Sequence, residues 1–547
     1  MYLLSKTKDN MTKINKKMMF AAWACTNKSY FSYQSWHSVL QNMFQNFVVF
    51  DPQQYTYQLG RKGMNQKFME VVKNERPDYI FFWLMYHPEF DVETLAQIKK
   101  ISPQTKVLNF FGDDDILFDI YTKYLAFFVD YPLASHMEHF WKYEANNIPN
   151  VFSTFGVNTG NFKPINSEKK YDVTFIGTPI EDRAEMIKHL IGNGINVRIF
   201  GGGWYSYPEL AQNYGGKLST EEMNEIINQS KINLNFSKTI GGKTGFKAKV
   251  FEVCACKSFL LSEYFTGYLN YLKEDEEIVT FRDKEQLLEK VRYYLSNEKE
   301  RENIAMGAYK KVIKNYSIEQ EFKKIFSSIE KLKKKNSTEI ISSNNNVVSL
   351  TQKELSNDRN ELMQKIENAS YITFIDDSVI PSDYKNHFQI QSLDKSTKNL
   401  SCCDYSVFSK SLGDYLSCYA YKTLNNNPER FYKLLDLSQL MVKKSFFIEN
   451  LDKFTKFSEY KNELVTKENT AFIAFPLLRR INVANIKAED IGSIFAPNFE
   501  NELKALTTSK KLVFSQYFYK FAFSSLFSKL YLIEYLMKKI RLKMKSK

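Results

Sequence analysis

Tyr171-Asp172-Val173-Thr174-Phe175-Ile176-Gly177 decides how residues 1–335 are read, because the pattern that precedes it starts over there. Apolar residues of strand type run up to a glycine, and Gly177-Thr178-Pro179 then breaks the strand. Glu181 to Gly192 follows as a helix, with Gly192 and Gly194 at its expected C-terminus. Asn196 to Phe200 is the next strand, closed by Gly201-Gly202-Gly203-Trp204. Thr220 to Gln229 reads as a helix, with Ser219 as its cap and Glu222 at the capping-box position. Lys231 to Phe236 and Phe259 to Ser262 are further strands, and after Glu277 to Thr280 long helices run to about Lys335. Upstream, Met18 to Ala24, Phe47 to Phe50, Tyr79 to Leu84, Lys106 to Phe111 and Phe127 to Val129 read as strands. Amphipathic stretches such as Gly63 to Asn74 and Val92 to Lys100 separate them. Such alternation predicts a parallel sheet covered by helices, and two successive runs predict two tandem Rossmann-like α/β domains, 17–165 and 166–335, after an extension over 1–16. Ligands of these sheets bind beyond the carboxyl ends of the strands, so a cleft between the two domains is expected.

Gly245-Phe246-Lys247-Ala248-Lys249-Val250-Phe251-Glu252 lies between two strands of the second run. On a helix Lys249 and Glu252 are i,i+3 neighbours and share a face. Lys247 falls near the helix start, where backbone N–H groups already favour anions. Two cations there suit a diphosphate, and a carboxylate further along suits sugar hydroxyls. That is chemistry for gripping a nucleotide-sugar. A solvated amphipathic helix would carry the same residues.

At 547 residues the chain exceeds one domain, and a hydrophobic share of 44% supports real cores. Cys254 and Cys256 share an apolar helix and Cys402 and Cys403 are adjacent, so neither pair closes a zinc site, and no metal is expected. A reduced, cytoplasmic chain is the simplest expectation. Met1-Tyr2-Leu3-Leu4 is too short for a signal peptide, and no uncharged apolar run reaches membrane-span length. The net charge of +13 is concentrated in the tail, where Lys510 to Lys547 holds ten cations against one acid, Glu534. That distribution argues against a nucleic-acid surface.

Residues 336–368 read as a linker, partly flexible, from their Asn, Ser and Lys content. Tyr371-Ile372-Thr373-Phe374-Ile375-Asp376-Asp377 opens a third α/β unit, 369–509, as an apolar strand ending in two carboxylates. In the tail, 510–547, Phe523, Leu526, Leu530, Ile533, Met537, Ile540 and Met544 form one apolar stripe flanked by cations. Peripheral attachment to an anionic inner leaflet and coiled-coil self-association both suit it.

Four ordered blocks resemble GT-B glycosyltransferases of the spore-maturation (CgeB-like), glycosyl transferases group 1 type. They are Tyr171 to Gly177 with Arg183, Phe200 to Trp204, Lys247 to Glu252 with Phe259 to Glu263, and Arg301 to Gly307. The resemblance implies a GT-B fold of two Rossmann-like domains facing across a cleft. It implies a metal-independent hexosyltransferase that needs no cofactor and takes a nucleoside-diphosphate-sugar, a UDP-sugar first among these. Donor-binding residues implied are Gly177, Arg183, Gly202, Trp204, Thr244, Lys247, Lys249 and Glu252. Lys247 and Lys249 would neutralise the phosphates, and Glu252 would bind the ribose. Related enzymes carry a second glutamate eight residues before that one, where this chain has Thr244, and commonly an arginine where it has Lys249. Gly201 to Gly203 could equally be a tight turn, Arg183 a solvated residue, and Trp204 a core or lid residue.

On the acceptor side, Asp113 and Asp114, just past Phe110-Phe111-Gly112, and His87 before Pro88 are candidate catalytic groups. Acids in the first turn of a helix and a structural histidine are the competing readings. Residues 369–509 resemble a truncated GT-A glycosyltransferase, without room before Tyr371 for the nucleotide-binding half; an accessory role is expected. The expected acceptor is a glycan, lipid-linked or protein molecule of a bacterial surface pathway. A non-catalytic nucleotide-sugar-binding or scaffold protein is the alternative.

Overall fold

The structure, a computed structural model, describes residues 13–480 apart from 29, 31, 85–89, 115–116, 155, 240–241, 243, 333–345, 377–378, 410–413, 419–431 and 433–434. His87, Asp377 and the basic tail therefore lie outside the described residues. No helix among the described residues is long and apolar enough to cross a membrane.

The first sheet holds β1 (Ile14–Ala22), β2 (Phe44–Phe50), β3 (Tyr79–Trp83), β4 (Lys106–Phe111), β5 (Tyr131–Ala134) and β6 (Phe152–Ser153). Their order is β2-β1-β3-β4-β5-β6, with every neighbour parallel. Buried on both faces, its central strands are near-continuous apolar runs, as Met18 to Ala22 and Tyr79 to Phe82 illustrate. Asp51 starts the helix Pro52–Glu75 by accepting from the amides of Gln53 and Gln54, and it also holds Thr26 beyond β1. One expected strand is absent: Phe127 and Phe128 end a short 3-10 helix, Ala126–Phe128, and the strand is β5. Periodicity does not separate so short an apolar run from buried helix, and these two rings pack against Tyr384 of the third unit instead.

The second sheet holds β7 (Tyr171–Ile176), β8 (Val197–Phe200), β9 (Ser230–Asn235), β10 (Leu260–Glu263) and β11 (Val279–Phe281). Its order is β11-β10-β9-β7-β8, again wholly parallel. The two tandem Rossmann-like domains expected from the sequence are both present. Two crossings join them, and they pair with each other: Val157 N–H donates to Tyr316 at 3.0 Å and Ile318 N–H donates to Val157 at 3.0 Å. A Cβ on Gly156 would lie 2.9 Å from the Ile318 backbone, so the crossings touch only because that residue is glycine. Beyond the second crossing the helix Ile318–Ile329 returns to the first sheet, where Phe322 and Phe326 pack among Phe44, Tyr79 and Phe81. The end of the 166–335 segment thus belongs to the core of the first domain.

The third unit holds β12 (Val347–Thr351), β13 (Tyr371–Ile375), β14 (Val379–Pro381), β15 (Leu400–Ser409), β16 (Asp414–Cys418), β17 (Leu440–Lys443) and β18 (Thr470–Arg480). They form one mixed sheet, β12-β13-β17-β15-β18-β14, with β16 beside β15. β12 lies inside the stretch read as a linker. Its apolar run is short and follows Asn and Ser residues, yet it pairs in parallel with β13, Val347 opposite Tyr371. The unit shares the first domain's core: Tyr384, Phe388, Cys403, Ile473 and Leu477 are buried in the cluster that contains Tyr124 and Phe128.

Candidate active site

The carboxyl ends of the first two sheets meet. Beyond β5, His136 lies against the ring of Phe246, which follows β9, at 6.1 Å between centroids. Glu138 accepts a hydrogen bond from Asn270 beyond β10 at 3.3 Å. Beyond β1, the Gln34 side chain bonds the hydroxyl of Thr220, at the start of the helix after β8. Asn158 and Asn161, from the first crossing, donate to the Gln34 carbonyl at 2.5 and 3.0 Å.

The helix Ala248–Ala255 begins at this junction with Lys247 as its N-cap residue. Val250, Phe251, Val253 and Cys254 are its buried stripe, which leaves Ala248 and Glu252 on the wall of the interlobe cavity. The expected i,i+3 pair forms: the Lys249 ammonium lies 2.6 Å from Glu252 Oε2, with side chains 16% and 14% exposed. Lys249 also lies 3.4 Å from the Met223 sulfur and over the Phe162 ring at 6.0 Å. Its charge is therefore held inside the junction. Glu252 Oε2 is thus charge-paired on the cavity wall.

The glycine-rich turns at the ends of β7 and β8 are built on each other. Gly201 has φ +120°, and a Cβ on it would lie 2.3 Å from the Gly177 carbonyl oxygen. That same oxygen accepts the Trp204 indole N–H at 2.8 Å. Trp204 is 2% exposed and packs edge-on to Phe175, so its ring belongs to the domain core. Gly202 lies beside Lys217. Arg183 is buried and donates to the carbonyls of Thr178 at 3.0 Å and Lys238 at 2.7 Å, tying together the loops that follow β7 and β9. Burial pulls its guanidinium pKa down.

Sequence reasoning missed Lys238. It bridges Asp182 and Glu263 Oε1, the latter at 3.0 Å, at the ends of β9 and β10. Glu263 Oε2 meanwhile holds the amides of Ser237 at 2.9 Å and Lys238 at 3.1 Å. Lys238 pairs across a short antiparallel bridge with Thr244, which is exposed where a second glutamate would stand. No periodicity flags a lone lysine after a strand, and its importance arises only from the sheet order that sets β7, β9 and β10 side by side.

On the opposite side, Asp113 is exposed at the end of β4. Asp114 turns inward: it is 1% exposed and accepts from Tyr143 and from Thr122 at 2.7 Å. Burial raises its pKa to about 6, although the two hydroxyls and Lys142 oppose the shift. Its contacts are those of an internal tie between β4 and the helix Phe140–Ala145.

Residues 183–327 match the family model described as glycosyl transferase-like. The match covers most of the second domain and most of the helix Ile318–Ile329, and includes Arg183, Trp204, Lys247, Lys249 and Glu252. No curated protein matches the chain. Among solved structures, it is similar to HepE of Anabaena in complex with UDP-glucose, at 11% identity and TM-score 0.43, over 58% of this chain and 100% of that one. It is also similar to a glycosyltransferase of Rickettsia africae, at 12% identity and TM-score 0.44, over 58% and 99% of the two chains. Sucrose-phosphate synthase of Thermosynechococcus elongatus is similar at 9% identity and TM-score 0.41, over 58% and 100%.

Proposed function

We propose that the protein is a GT-B glycosyltransferase that moves a sugar from a nucleoside-diphosphate donor, a UDP-sugar, to a glycan, lipid-linked or protein acceptor. One observation carries the reading: the start of the helix Ala248–Ala255, with Lys247, Lys249 and Glu252, opens onto the junction of two parallel sheets. The family-model match over the same residues supports it.

In this reading the donor diphosphate meets the helix-start amides, Lys247 and Lys249, which stabilise the charge that develops on the leaving group. Lys249 exchanges Glu252 for a phosphate oxygen, and Glu252 accepts a ribose hydroxyl in return. Arg183, Lys238 and Glu263 hold the surrounding loops in place. Asp113 is the acceptor-side group best placed to orient a hydroxyl, and Asp114 supports the strand end that carries it. Charge neutralisation by side chains makes transfer independent of a divalent ion, so EDTA should leave the rate unchanged. Residues 369–509 would serve the acceptor side, and 510–547 would bring the cleft to an anionic membrane, which flotation with and without that segment tests.

Incubating the protein with UDP-, GDP-, CMP- and dTDP-sugars and following slow donor hydrolysis tests the activity. Hydrolysis of one donor, abolished by Lys247→Ala with Lys249→Ala, is expected. Thr244, exposed where a carboxylate would face the sugar, favours a second reading as a non-catalytic sensor or scaffold. Binding without hydrolysis would select it.

A further inference from the structure

Three large apolar side chains that solvent reaches gather where the two domains meet. Trp141 is 64% exposed, Met137 39% and Leu269 42%. Met137 and Trp141 stand four residues apart in the helical segment beyond β5, so they lie on one side of it. Leu269 comes from the other domain, in the turn beyond β10. The hydrogen bond that joins the domains here runs from Asn270 to Glu138, the immediate neighbours of Leu269 and Met137, and Glu138 also lies against Gly267. The indole is propped from behind: Lys142 lies over Trp141 at 6.0 Å and over Phe118 at 5.6 Å, and donates to the Asp114 carbonyl at 2.6 Å. Exposed apolar groups gathered at the mouth of a cleft mark a binding surface.

This surface continues from Asp113. Two ties to the same segment bracket that residue: Ser135 donates to the Gly112 carbonyl at 2.7 Å, and Lys142 to that of Asp114. A molecule presenting a hydroxyl to Asp113 therefore runs next over Trp141. Resting on the glycosyltransferase reading above, we infer that the acceptor is an oligosaccharide, whose chain stacks on Trp141 and extends over Met137 and Leu269 across both domains. A sugar ring has an apolar C–H face and a polar rim, and a flat ring edged by polar groups matches both. Glu138, His139 and Lys142 supply that edge, standing between and beside the apolar residues. An acyl chain would want an unbroken apolar groove, which these polar side chains interrupt. A folded protein would need about 800 Å² of contact, far more than one indole and two aliphatic chains offer.

The test gives the full chain the donor that it hydrolyses and a panel of gluco-, galacto- and manno-oligosaccharides of increasing length as acceptors. Decyl phosphate and a Ser/Thr-rich peptide stand beside them as lipid and protein probes. In wild type the KM for transfer should fall about tenfold from monosaccharide to trisaccharide. Trp141→Ala, at an exposed ring and so mild for folding, should remove that gain while kcat stays within about twofold. Trp141→Phe should keep most of it, and Leu269→Ser should remove about threefold. A merely structural Trp141 would shift the thermal midpoint and leave the dependence on chain length intact. That dependence unchanged in Trp141→Ala, transfer only to decyl phosphate or the peptide, or donor hydrolysis with no transfer to any probe would overturn the oligosaccharide assignment and leave the donor reading standing. A protein that neither binds nor hydrolyses any nucleotide-sugar would defeat that reading, and this inference with it.

Discussion

At the scale of single residues, Asp114 is a carboxylate drawn into the interior. Two hydroxyls and burial surround it, and its pKa is raised to about 6, mainly by desolvation. A folded-state value above the unfolded one means that the folded chain keeps its proton longer. The protonated form's advantage is complete below about pH 4 and is lost as pH rises to about 6, a change on the order of 3 kcal/mol at most. Asp114→Asn should therefore flatten the pH dependence of the thermal midpoint between pH 4 and 6, and an unchanged slope would count against this role. Lys385 poses the mirror case. Fully buried, it donates to Thr373 at 2.6 Å, and desolvation lowers its pKa to about 8. The unfolded chain binds the extra proton between about pH 8 and 10.5, so stability rises with pH there, and Lys385→Met should abolish that rise. Pattern reading supplied Lys249 and Glu252 because an i,i+3 spacing is local. It could not supply Lys238 or Gln34, whose partners lie on other elements far along the chain.

Among the elements, the two glycine turns and the helix Ala248–Ala255 shape the carboxyl end of the second sheet. Gly201→Ala would push a methyl group into the Gly177 carbonyl and load a left-handed φ, so a loss of about 2–4 kcal/mol in the second domain is expected, read by chemical denaturation. Strand and helix positions in both Rossmann-like domains were largely legible, since parallel sheets buried on both faces write themselves as apolar runs with glycine at the ends. The helix Thr220–Gln229 is an example, with the Ser219–Glu222 capping box in place at its expected position. Phe127 and Phe128 misled for a physical reason: tertiary packing against Tyr384 and Phe388 buries Phe128 and partly covers Phe127 without a sheet. β12 was hidden by the polar residues around it, because a short edge strand needs little apolar sequence of its own.

For the molecule as a whole, two facts could not be read from local pattern. The helix Ile318–Ile329 closes the first domain, and the third unit shares that domain's core. First domain and third unit should then resist or yield together. Phe388→Ala, at a fully buried ring, should cost about 3–5 kcal/mol and open both to proteolysis while the fragment around 165–316 stays protected. Independent digestion of the third unit would refute a shared core. The proposed donor site rests on Lys247 and Lys249 at the start of the helix Ala248–Ala255. Calorimetric titration of UDP and of uridine into wild type and into the Lys247→Ala, Lys249→Ala double variant probes it directly. Loss of two charge-assisted contacts should weaken UDP by about a hundredfold or more and leave uridine unchanged. Undiminished UDP affinity in the double variant would show that these lysines do not hold the diphosphate.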